Sequence, residues 1–179
     1  MEKRIAIVDY DCLTSLGTDV DSTWAAAADN RSGVRHIDRY VPAENRFQGV
    51  SDIAYAGQIP ISFEELAGSA DKYERWPEPA YHAAQLLAGR IFDRIRFDIS
   101  HHDPQRIGVF GGTALTSEIS QDIVTRSGKP DTKFILHQCH NTPLAAVASA
   151  FGLRGPSFSV SSACASSGHA LFLAGQLIK

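Results

Sequence analysis

Three cysteines in 179 residues, at positions 12, 139 and 164, are too few and too scattered for a disulfide framework. No Cys-x-x-Cys pair exists to hold zinc, so each thiol is either a small buried hydrophobe or a reactive group. No stretch approaches the roughly 18 consecutive apolar residues that a membrane-spanning helix needs. Charge of one sign is also missing: 17 Lys and Arg stand against 20 Asp and Glu, a net of −3, which offers no footprint for nucleic acid or an anionic membrane surface. Gly111-Gly112 has neither the G-x-G-x-x-G spacing nor a P-loop lysine, which leaves nucleotide binding without support. The apolar run Ile5-Ala6-Ile7-Val8 is too short for a signal peptide and Asp9 interrupts it, so a cytoplasmic protein is expected. What is present is the composition of a folded globular domain, 44% hydrophobic and 21% charged, without repeats or low-complexity tracts.

Apolar patterning gives strands separated by helices. Arg4 to Tyr10 reads as a short buried strand, and Asp21-Ser22 can cap a helix through Trp24 and Ala25 to Ala28, with Gly33 as the stop. From residue 34 to about 78 the chain is polar and punctuated by Pro42, Gly49, Gly57, Pro60 and Gly68, as expected of a loop-rich insertion. A helix fits Glu78 to Arg94, with Ala80, Ala84, Leu87, Ile91 and Ile95 at helical spacing. Arg106 to Gly112 reads as a second strand and Thr113 to Ser127 as a helix broken by Gly128-Lys129-Pro130. Thr142-Pro143 reads as the start of a helix that Gly152 stops, Ser157 to Ser161 as a third strand, and the chain from Cys164 as a last helix. The alternation predicts an α/β domain with a mainly parallel sheet.

The chemistry is concentrated between Phe151 and Lys179. There a strand meets a helix through a turn of small residues, Ser162, Ala163, Ala165, Ser166, Ser167 and Gly168, and Cys164 sits in that turn. A thiol at a helix start feels the positive end of the helix dipole and unpaired N–H groups, which favour the thiolate. The small neighbours let a bulky thioester approach, so the segment has the form of a nucleophile elbow built on cysteine. Cys12 and Cys139 fit ordinary burial better. His137-Gln138-Cys139-His140 lacks a second ligand pair and reads as a polar loop, not a metal site. His101-His102 reads as solvated loop, and His169, five residues past Cys164, as a helix-face residue pointing away from the elbow.

Gly152-Leu153-Arg154-Gly155-Pro156-Ser157, followed by Ser-Ser-Ala-Cys-Ala-Ser-Ser at 161–167, resembles the active-site signature of the elongating β-ketoacyl-(acyl-carrier-protein) synthases. Arg4 to Val8 with Leu16-Gly17, Trp24 and Ser32-Gly33-Val34 is similar to that family's opening strand and helix, and Arg106 to Gly112 to its second strand. The resemblance implies a thiolase-like α/β fold, a mixed, mainly parallel sheet flanked by helices. That fold is a duplication, of which residues 1–179 would be the N-terminal half with the insertion at 34–78. It implies that Cys164 accepts the acyl chain, with its backbone N–H as oxyanion-hole donor, before a decarboxylating Claisen condensation with malonyl thioester. In the family, two histidines and a lysine of the C-terminal half serve the condensation, and no residue here matches them. No cofactor and no metal are implied. The implied partners are an acyl carrier protein, for which Lys72 and Arg75 resemble family basic residues in position, and a second synthase subunit in a homodimer or heterodimer. A segment without the family's later strands would leave strand edges and apolar faces uncovered, so a longer parent chain is expected. Two other readings stay open: a non-catalytic partner half, and a thiolase-like acyltransferase using coenzyme A. Fatty-acid and polyketide pathways are not distinguished.

Overall fold

The computed structural model describes residues 4–37, 55–69, 72, 78–114 and 139–178. The expected helix from Thr113 and its Gly128-Lys129-Pro130 break lie outside them from residue 115 onward. Helix α1 spans Val20–Ala28. Its cap is Asp19, two residues before the expected one: Asp19 Oδ1 accepts from Ser22 N at 2.7 Å, and Ser22 Oγ accepts in return from Asp19 N at 3.3 Å. That reciprocal box satisfies two donors, which a cap at Asp21 could not match here. The helix ends on Asn30, not Gly33. Asn30 has φ +54°, and the bonds Asn30 N to Ala27 O and Arg31 N to Ala26 O close a Schellman turn.

Within the polar stretch, strands β1 (Val34–His36) and β2 (Tyr55–Gly57) pair antiparallel. Helix α2 (Phe63–Ala67) follows, with a Ser62–Glu65 capping box at one end and Gly68 at φ +80° at the other. Helix α3 spans Pro79–Arg94 with proline in its first turn, as the spacing predicts. Two single 3₁₀ turns, Ile99–His101 and Pro104–Arg106, lead to strand β3 (Val109–Gly112). Helix α4 (Thr142–Ala150) starts after Asn141, one residue earlier than the Thr142 cap would give, and stops at Gly152 with φ +67°. Strand β4 (Ser157–Val160) then leads to helix α5 (Ser166–Ile178).

Strand β3 pairs parallel with β4, from Val109 opposite Ser157 to Gly112 opposite Val160. Parallel pairing requires a crossover, and α4 lies on that connection. Period-2 alternation sends Gly111 and Gly112 to opposite faces. A Cβ on Gly111 would meet Leu144 of α4, and one on Gly112 would meet the first turn of α5, so one helix covers each face. Helices α3 and α4 pack together through Gln85 Nε2 donating to Ala146 O at 3.1 Å and a Phe92–Phe151 edge contact with centroids 4.9 Å apart. The buried apolar residues include Leu144, Ala146, Val147, Leu153 and Ala170 around this sandwich.

The expected first strand is not in a ladder. Residues 4–10 carry no strand pairing, and Ile7 and Val8 are 79% and 78% exposed. An apolar run becomes a strand only when a neighbouring strand takes its N–H and C=O groups, and no strand pairs with it among the described residues. The segment is instead held by Arg94. Its Nε donates to Asp9 Oδ2 at 2.8 Å, Nη1 to Asp11 Oδ2 at 3.0 Å, and Nη2 to Tyr10 O at 3.1 Å. The Arg94 hydrogen bond, more than any other influence, holds the Asp9 carboxyl below its ordinary value, with the Tyr10 N–H helping and desolvation opposing. A lowered folded-state pKa means a contribution present above about pH 4 and lost as pH falls through the folded value. In Arg94→Leu, the Asp9 carboxyl is expected to titrate closer to an ordinary aspartate, read by carboxyl-carbon NMR. An unchanged titration would remove Arg94 as the cause.

Candidate active site

The turn from β4 into α5 is built on one residue in a left-handed conformation. Ala163 has φ +50°, which for a residue with a Cβ costs about 1–2 kcal/mol. The surroundings hold it there. Ala165 N donates to Ser162 O at 3.2 Å and Ser166 N to Ala163 O at 3.1 Å. Ser166 is only 3% exposed. Its Oγ accepts from Ser162 N at 2.8 Å and lies 2.6 Å from Ala163 O, to which it donates, with Thr113 O further off at 3.4 Å. The buried serine hydroxyl thus ties both sides of the turn to the end of β3, where Thr113 N donates to Val160 O.

Cys164 follows Ala163 and stands two residues before the first residue of α5. Its side chain is exposed. The helix ladder starts with His169 N donating to Ala165 O, so Ala165 occupies the cap position. The N–H groups of Cys164, Ser167 and Gly168 take no hydrogen bond among the described residues. The helix thus starts at Ser166, two residues later than the expected start at Cys164, and the exposed thiol lies in the turn that precedes it.

Two residues have roles the sequence reading missed. His169 does not point away from the elbow: its Nδ1 lies 2.7 Å from Ser162 Oγ. The signal was available, since long side chains on a helix lean back over the preceding turn. Ser166 entered the sequence reading only as a small residue, whereas its hydroxyl braces the turn. Beside them, at the same end of the sheet, Thr113 Oγ1 lies 3.3 Å from His140 Nδ1 and 3.4 Å from Ser159 Oγ, and Ser159 Oγ donates to His140 O at 3.1 Å. His140 belongs to that polar group, and His137 and Gln138 lie outside the described residues. His101 and His102 are exposed but not a plain loop: His101 ends the Ile99–His101 turn with Nδ1 3.7 Å from Asp98 Oδ2, and His102 stacks on Phe97 with centroids 4.9 Å apart.

The other thiols differ from expectation in one case. Cys12 is half-buried, with Sγ donating to Thr23 Oγ1 at 3.6 Å, whereas Cys139 is exposed ahead of α4 instead of buried. Lys72 is exposed just beyond α2, and Arg75 lies outside the described residues. No helix among the described residues is long and apolar enough to cross a membrane.

Residues 2–179 match the family model for the β-ketoacyl synthase N-terminal domain. Among curated proteins the chain is similar to the chloroplastic 3-oxoacyl-[acyl-carrier-protein] synthase I of Arabidopsis thaliana, 25% identical over 99% of this chain and 38% of that protein. It is also 25% identical to a putative polyketide β-ketoacyl synthase 1 of Streptomyces virginiae, over 99% of this chain and 43% of the other. Nodulation protein E of Rhizobium meliloti is 27% identical over 100% and 44%. The chain therefore spans about two fifths of the length of the curated relatives it matches, 38% to 44%. Among solved structures, the ishigamide ketosynthase/chain length factor superposes with a TM-score of 0.62 at 18% identity, over 93% of this chain and 43% of that one, which shows the thiolase-like fold. The chain belongs to the β-ketoacyl synthase family, whose N-terminal domain it carries.

Proposed function

We propose that this chain supplies the acyl-accepting cysteine of a ketosynthase that works on carrier-protein thioesters in fatty-acid or polyketide synthesis. The observation that carries the reading is the exposed Cys164 on a braced strand–turn–helix, beside N–H groups with no partner among the described residues. The Cys164 thiolate attacks the acyl thioester carbonyl, and the C–S bond to the carrier breaks. The carrier sulfur leaves with the bonding pair as a thiolate, which takes a proton from water, and the acyl group stays on Sγ. The oxyanion that forms on the way is stabilised by the Cys164 N–H, a role that suits donors fixed before the reaction begins. The later step, loss of carbon dioxide from malonyl thioester and attack of the carbanion on acyl-Cys164, calls on acid–base groups that the family resemblance places in a C-terminal half.

Lys72 and Arg75 are the proposed contacts for the acidic carrier protein. Exposed Leu171, Phe172, Leu177 and Ile178 of α5, together with Ile7 and Val8, support packing against more protein, a C-terminal half or a second synthase subunit. The test is incubation with an acyl-carrier-protein thioester, read by intact mass and peptide mapping. One acyl group on Cys164 and no condensation product with malonyl thioester are expected of this chain alone. Acyl transfer to another residue would overturn the assignment, and full condensation would overturn the division of labour.

A further inference from the structure

Ser162 is held at two points. Its N–H donates to the buried Ser166 Oγ at 2.8 Å, and its own Oγ lies 2.7 Å from His169 Nδ1. One tie runs from Ser162 to a buried residue, Ser166, and the other to an exposed one, His169. Between residues 162 and 169 stand the left-handed Ala163 and the thiol of Cys164. The second tie is not part of the helix ladder, because the His169 N–H already donates to Ala165 O at 3.1 Å. The imidazole instead leans back across the start of α5 and closes the loop that contains Cys164. Either tautomer serves: the serine hydroxyl donates to Nδ1, or Nδ1–H donates to the hydroxyl oxygen.

We propose that His169 is a positioning residue for Cys164. Acting through Ser162, it keeps the strained turn closed, so that the thiol stays beside the uncommitted first-turn N–H groups of α5. The proposal rests on the acyl-acceptor reading and deepens it. In this role His169 touches neither the thiol nor a substrate, and its effect runs through one hydrogen bond. Its loss lets residues 162–164 relax out of the left-handed turn and carries the thiol away from the start of α5.

The experiment is the rate of iodoacetamide alkylation at Cys164 in the full chain, located by peptide mass. His169→Leu keeps a branched side chain without a polar atom, whereas His169→Asn places an amide near the position of Nδ1. His169→Leu is expected to slow alkylation roughly fivefold, the size of one ordinary hydrogen bond, and His169→Asn to stay within about twofold of the parent. Ser162→Ala is expected to match His169→Leu, and the double variant to be no slower than either single one, as two partners in one bond require. Exposed Cys139 should react at an unchanged rate throughout. Half-buried Cys12 reports unfolding, and Ser162→Ala, a small change at an exposed site, decides the matter if His169→Leu unfolds. A His169→Asn rate as low as that of His169→Leu, a His169→Leu rate at or above the parent's, or additive losses in the double variant would overturn the proposal. The underlying reading fails differently. A chain that shows this pattern with iodoacetamide yet takes no acyl group from a carrier thioester loses the acyl-acceptor role and keeps the clasp.

Discussion

Cys164→Ala is expected to take up no acyl group from a carrier-protein thioester under conditions in which the parent chain acquires one. Removing a covalent nucleophile has cost up to about a millionfold in rate where it has been dissected in other enzymes, so the adduct should fall to background. The competing thiol is Cys139, which is also exposed and also precedes a helix, with Cys139 O accepting from Thr142 N at 3.0 Å. What distinguishes Cys164 is its brace: the buried Ser166 hydroxyl accepts from Ser162 N and donates to Ala163 O, on either side of the turn that carries the thiol. Cys139→Ala and Cys12→Ala are therefore expected to keep full acyl uptake, measured by intact mass against the parent. Uptake that survives Cys164→Ala and disappears with Cys139→Ala would move the site to the other thiol.

The part of the site that is legible in the sequence is the part that local rules determine. Ser157 to Ser161 followed by small residues and an apolar helix announces a strand, a tight turn and a helix, and those are observed at Ser157–Val160 and Ser166–Ile178. Pro79–Arg94 and the stop at Gly152 were legible for the same reason, since proline and glycine act on their own φ angles. The misses are all relational. Ile5 to Val8 has strand composition, but pairing depends on a neighbour that no local pattern names. The α1 cap fell to Asp19 because Ser22 could reciprocate, which requires comparing two candidate boxes residue by residue. Spacing to Cys164 alone gives His169 a direction away from the turn, whereas its partner is Ser162, seven residues back. A reading centred on the thiol looks for contacts with sulfur, and this fold organises contacts around the backbone that carries it.

That dependence on backbone placement gives Gly112 the largest expected effect on stability. A Cβ at Gly112 would lie 2.2 Å from Ser167 N and 2.3 Å from Ser166 C, both main-chain atoms of the first turn of α5. No rotamer change relieves that collision, so in Gly112→Ala the helix start must move off β3. At the adjacent Gly111 the Cβ would come within 2.5 Å of Leu144 Cδ2, the end of a flexible side chain that can turn away. The two glycine-to-alanine changes are chemically identical and one residue apart, yet only one is expected to be severe. Overpacking of this kind costs about 1–3 kcal/mol, and Gly112→Ala belongs at or above the top of that range. For a chain of this size that corresponds to a fall in melting temperature of about 6–12 °C, with Gly111→Ala clearly smaller. The displacement also acts on chemistry. Ser166 carries the hydroxyl that ties Ser162 and Ala163 together, so a shift of its backbone opens the turn and slows alkylation of Cys164 well before the protein unfolds. Thermal unfolding and iodoacetamide labelling of the two variants side by side provide the check. Equal melting temperatures, or Cys164 labelling in Gly112→Ala at the parent's rate, would mean that the close seat of α5 on Gly112 is not what holds the thiol in place.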